Sequence, residues 1–119
     1  MNTGNYWRNL YVNQNLPKSV QEFKTKYPDV WKSFEDLGNN CHTAGPLDEK
    51  TRRLVKVALA VGAGLEGATH SAVRNALTKG ISPEEIMHVA ILAITTLGFP
   101  SAIRSTTWIS DEIDSVSKS

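Results

Sequence analysis

Apolar side chains recur at helical spacing along almost the whole chain, and no stretch alternates at period two for long. The pattern therefore predicts an all-α protein of about six helices. Pro17 suits the first position of a helix carrying Val20, Phe23 and Tyr27, and Pro28 opens a second with Val30, Trp31, Phe34 and Leu37. Gly38 weakens that second helix by up to about 1 kcal/mol relative to alanine, and Gly45-Pro46 stops it. Asp48 is a good N-cap for a third helix, with Leu47 before it as a hydrophobic staple. Leu54, Val55, Ala58, Leu59 and Val61 give this helix its buried side, and Gly62-Ala63-Gly64 closes it. A fourth helix runs from about Glu66 to Lys79, where Gly80 supplies a left-handed cap and Ile81 folds back. Ser82-Pro83-Glu84-Glu85 then spells an N-cap, an N1 proline and the third-position Glu of a capping box. The fifth helix, through Leu97, is apolar on nearly every side, and a last one from about Ser101 to Val116 carries Ile103, Trp108 and Ile113.

A helix without a polar face has to be covered on several sides. One domain of this size with five other helices hardly supplies that cover, so the fifth helix predicts association with further copies of the chain. The 119 residues suffice for one core and not two. Residues 16–119 are expected to form a single helical domain. Residues 1–15, rich in Asn but carrying Trp7, Leu10, Tyr11 and Val12, read as an arm that packs rather than as a tail. With 13 basic and 12 acidic residues, scattered rather than blocked, nothing points to nucleic acid or an acidic membrane as partner. No run approaches the ~18 apolar residues of a membrane span, and the polar start Met1-Asn2-Thr3-Gly4-Asn5 lacks a signal core. A single cysteine excludes an internal disulfide framework. Together these features point to the cytoplasm.

The candidate chemistry is concentrated on the fourth helix. Glu66, His70 and Arg74 are spaced i, i+4, i+8, along the edge of its apolar face. A Glu four residues before a His can accept its N–H and hold one tautomer. Glu66 and His70 would then be acid–base groups, with Arg74 binding an anionic group of a substrate. The competing reading is a solvated flank whose three polar side chains pair weakly. Cys41-His42 is the only adjacent thiol–imidazole pair, and an imidazole lowers a thiol pKa. Neighbours in a helix point about 100° apart, so Cys41 is either an isolated cysteine or a lone reactive thiol completed by His70. His88, inside the apolar fifth helix, is either a core or interface histidine or a second titrating, substrate-binding group facing Glu66 and His70. His42, His70 and His88 are too dispersed for a metal site. The Gly62-Ala63-Gly64 cluster lacks the spacing and the preceding strand of a phosphate loop. No cofactor is indicated.

Several of these landmarks fall in a familiar order: Leu47-Asp48-Glu49-Lys50-Thr51-Arg52-Arg53-Leu54-Val55, then Gly64 to Leu77, Lys79-Gly80-Ile81-Ser82-Pro83-Glu84-Glu85-Ile86, and Leu97-Gly98-Phe99-Pro100. Over roughly residues 30–110 the chain resembles the carboxymuconolactone decarboxylase family, which includes the alkylhydroperoxidase D-like proteins. The resemblance implies their helical fold and assembly as homotrimers or homohexamers. Redox-active members carry a Cys-x-x-Cys pair and a His on the helix that begins near Gly64, with a Glu one helix earlier. Laid on without gaps, these positions are Leu65, Ala68, Ala72 and Arg53 in this chain. The decarboxylating members keep the His, which again is Ala72. Leu65, Ala68 and Ala72 belong, with Thr69, Val73, Ala76 and Leu77, to one broad face spaced i, i+3, i+4, i+7 that reads as ordinary core packing, and no dithiol remains for peroxide chemistry.

Two functions are therefore expected to compete. One is a small-molecule enzyme of the peroxidase- or decarboxylase-like class, using Glu66, His70, Arg74 and a lone Cys41 in the family pocket. The other is a non-catalytic ligand-binding or scaffold protein that keeps the fold and the assembly.

Overall fold

A computed structural model describes residues 16–117; the expected N-terminal arm, residues 1–15, lies outside the described residues. Among the described residues there are six helices and no strand: α1 Lys18–Lys26, α2 Pro28–Thr43, α3 Glu49–Ala63, α4 Glu66–Thr78, α5 Pro83–Leu97 and α6 Phe99–Ser117. The all-α reading holds, with helix ends within about two residues of those predicted. The chain divides into two compact units, one ending at Asp48 and the other beginning at Glu49.

The first unit is a pair of helices. Pro17 is the N-cap residue of α1 rather than its first helical residue, and Pro28 occupies the first turn of α2 as expected. A proline there forfeits only an N–H that no helical carbonyl would accept. Aromatic rings pair along each segment: those of Phe23 and Tyr27 lie 5.2 Å apart, those of Trp31 and Phe34, both on α2, 5.8 Å. Neither helix contains a buried residue. Val30, Phe34 and Leu37, at i, i+4 and i+7 of α2, are 57%, 61% and 60% exposed.

The second unit contains the core. Val57 of α3, Val73 of α4, Ile86 and Ala90 of α5 and Ile109 of α6 are fully buried against one another. The punctuation predicted between the helices is present. Gly80 adopts φ +81°, the left-handed conformation that a Cβ disfavours. Ser82 Oγ accepts from the Glu85 N–H while the Glu85 carboxylate accepts from the Ser82 N–H, closing a capping box at the start of α5. The same carboxylate meets Lys50 of α3 at 2.6 Å. Glu49 gathers Arg52 at 2.6 Å, Arg53 at 2.9 Å and Lys79 at 4.0 Å, tying the start of α3 to the end of α4. Burial alone would raise the Glu49 pKa, but the Arg53 and Arg52 hydrogen bonds and the charges of Arg53 and Lys79 bring it below the usual carboxylate value.

The apolar α5 is covered on only one side. Ile86, Ala90 and Ala93 face the core, whereas Ile91 and Leu92 are 53% and 61% exposed. Among the described residues no helix is long and apolar enough to cross a membrane.

Candidate functional site

The inward face of α4 is Thr69, Ala72, Val73 and Ala76, the i, i+3, i+4, i+7 pattern of an amphipathic helix. Glu66, His70 and Arg74 follow the flank beside it, and α6 supplies what meets them. Arg74 Nη1 donates to Glu112 Oε1 at 2.9 Å, and His70 Nδ1 lies 2.8 Å from the same oxygen. The Arg74 and Glu112 side chains are only 10% and 12% exposed. Arg74, expected at the edge of the apolar face, is thus buried, because a guanidinium that bonds a carboxylate no longer needs water as its partner.

The pairing fixes how His70 is used. A carboxylate only accepts, so the ring donates Nδ1–H to Glu112, and the neutral imidazole keeps its lone pair on Nε2. Glu66 approaches Nε2 only loosely, at 3.5 Å, and its side chain is 65% exposed. The tautomer-holding role expected of Glu66 is therefore performed by Glu112, forty-two residues further along the chain. Sequence reasoning passed over Glu112. A single acid beside the apolar positions of the last helix is indistinguishable from a solvated one until α4 is packed against it.

The remaining candidates are not joined to this cluster by any described hydrogen bond or ion pair. His88 is on the exposed side of α5. Cys41 is an exposed free thiol on α2, in the first unit. No group of three His, Cys, Asp or Glu among the described residues is placed to hold a metal ion.

The four positions at which the family's reactive residues fall have other occupations. Arg53 donates Nε–H to Glu49 at 2.9 Å. Leu65 is the N-cap residue of α4 and 54% exposed, Ala68 is exposed, and Ala72 is in the core. Only the last of these three apolar residues packs inward as the face predicted. Leu65 and Ala68, at the start of α4, are exposed although the adjoining Thr69 is fully buried.

A separate cleft of about 270 Å³ opens between α3 and α5, lined by Ala58, Val61, Val89, Leu92, Thr96 and Leu97 among others. None of its lining residues is titratable.

The sequence profile of the carboxymuconolactone decarboxylase family matches residues 28–111, from the first turn of α2 into α6. A relative of Methanocaldococcus jannaschii, "Uncharacterized protein MJ0742", is 30% identical over 85 residues, which covers 71% of this chain and 82% of that protein. With the fold and the order of its landmarks in agreement, the chain belongs to the carboxymuconolactone decarboxylase family.

Proposed function

We propose that the chain is a cytoplasmic, homo-oligomeric small-molecule enzyme of the peroxidase- or decarboxylase-like class, in which His70 is the acid–base group. The 2.8 Å contact between His70 Nδ1 and Glu112 carries this reading. It leaves Nε2 as the ring nitrogen free to take up and return a proton. Glu66, beside Nε2, passes that proton to or from water. Arg74 keeps Glu112 in place through Nη1. The cost of the arrangement supports a chemical role. Burying a carboxylate and a guanidinium costs several kcal/mol of desolvation, which their attraction only about repays. An apolar pair would serve the fold as well.

The test is to incubate the protein with carboxymuconolactone and follow CO₂ release, and separately with tert-butyl hydroperoxide and dihydrolipoamide. No dithiol-dependent peroxide reduction is expected, because the sequence has one cysteine. Lactone turnover should fall by roughly a hundredfold or more in His70→Gln. Turnover of either compound that is indifferent to His70→Gln removes the reading. Turnover of neither favours the non-catalytic alternative, a ligand-binding or scaffold protein. That alternative is supported by the occupation of the four family positions by Arg53, Leu65, Ala68 and Ala72.

The oligomer rests on the uncovered apolar surface. Leu59 and Leu92 are 64% and 61% exposed, and the cleft between α3 and α5 is apolar apart from Thr96. A second copy is the cover this surface fits, since contiguous exposed apolar patches mark association. Light scattering at micromolar concentration should give a trimer or larger. A clean monomer would leave the surface unexplained and this part of the proposal wrong.

A further inference from the structure

If Arg74 is committed to Glu112, the site needs another residue to recognise a charged ligand, and α6 carries one. Glu112 meets His70 and Arg74 of α4, and eight residues earlier on α6 the Arg104 guanidinium reaches Gly64, just ahead of α4. These two pairings mean that α4 and α6 run side by side in the same direction. Gly64 lies just before α4, at the end of that helix from which Glu66 and His70 follow. His70 Nε2 points toward Glu66, which is the Arg104 side of the ring.

Arg104 is also held. Its guanidinium carbon is 5.2 Å from the ring centre of Trp108, which is only 8% exposed, a cation–π contact that steadies the cation. Gly64 has φ +67°, a conformation that favours glycine, and a Cβ built there would stand 3.3 Å from Arg104 Nη2, which shows how near the guanidinium lies. Arg104 is exposed, and no carboxylate pairs with it among the described residues. An oriented, accessible guanidinium lacking a described counter-charge, on the side of the ring to which Nε2 points, is equipped to bind an anion.

We infer that Arg104 is the anion-recognition residue of this site, taking the carboxylate of a small organic acid whose reacting atom extends toward His70 Nε2. The inference rests on the proposed acid–base reading for its second half only; the binding itself needs no catalysis.

Succinate is the probe, with uncharged succinamide as control, and NMR signals of the Trp108 indole N–H and the His70 ring are followed in the full chain. Succinate should shift both signals saturably, and succinamide neither. Arg104→Gln should weaken succinate binding by roughly tenfold or more, with Arg104→Lys intermediate because it keeps the charge but loses the planar fork. His70→Gln should still bind succinate, read at Trp108. A circular dichroism melt checks that each variant folds, and Arg104→Lys keeps the test valid should Arg104→Gln not. Succinate binding unchanged in Arg104→Gln, or absent from the unaltered protein, overturns the inference while leaving His70-dependent turnover untouched. Arg104-dependent binding without any His70-dependent turnover would leave the inference standing and remove the acid–base reading.

Discussion

Replacing Glu112 with alanine is expected to destabilise the protein by about 3–5 kcal/mol, a large part of the 5–15 kcal/mol typical of a domain. The loss does not come from one hydrogen bond. Glu112 Oε1 is the acceptor for both Arg74 and His70, and the Arg74 side chain is 10% exposed. Without the carboxylate, a guanidinium is left in a place where water reaches it poorly and nothing neutralises it. Glu112→Gln keeps the Oε1 acceptor but loses its charge and should lose less, roughly 1–3 kcal/mol. Replacing both partners by methionine should recover most of the loss, since an apolar pair of similar volume pays no desolvation. Urea denaturation of the four proteins, compared by midpoint at unchanged slope, gives the answer. A Glu112→Ala midpoint equal to that of the unaltered protein would mean that Arg74 escapes to solvent and that the ion pair is peripheral.

The second large effect is expected at Ile109, where alanine should cost about 2–5 kcal/mol. Ile109 is fully buried in the second unit, within the cluster that includes Val57, Val73 and Ile86. It also lies one helical turn before Glu112 on α6. Truncation removes three methyl or methylene groups and leaves a hole that these neighbours, fixed on three other helices, only partly close. Ile109→Val should cost about 0.5–1.5 kcal/mol, which separates a cavity from a general intolerance of change. Because the hole opens beneath the α6 turn that carries Glu112, the His70 ring signals should also shift in Ile109→Ala. Equal urea midpoints for Ile109→Ala and Ile109→Val would show that α6 settles into the space.

The helices were legible because each is encoded locally. Pro28, Ser82 with Glu85, and Gly80 act through their own backbone or through neighbours three or four residues away. The spacing of Thr69, Ala72, Val73 and Ala76 assigned the inward face of α4 without reference to what it packs on. The same spacing placed Glu66, His70 and Arg74 on one flank. It also extended that face to Leu65 and Ala68, which are exposed, because periodicity gives an angular position on a helix and not what stands opposite it.

What the sequence determined by itself was therefore the helical architecture, the family and the loss of its dithiol, all properties of local spacing and residue identity. Only the tertiary structure decided which partner His70 has, why Arg74 is buried, and that Arg104 stands at Gly64. Each of those contacts joins α6 to residues some forty positions earlier. Their register is set by how the core side chains of α4, α5 and α6 interlock, and no local pattern records it.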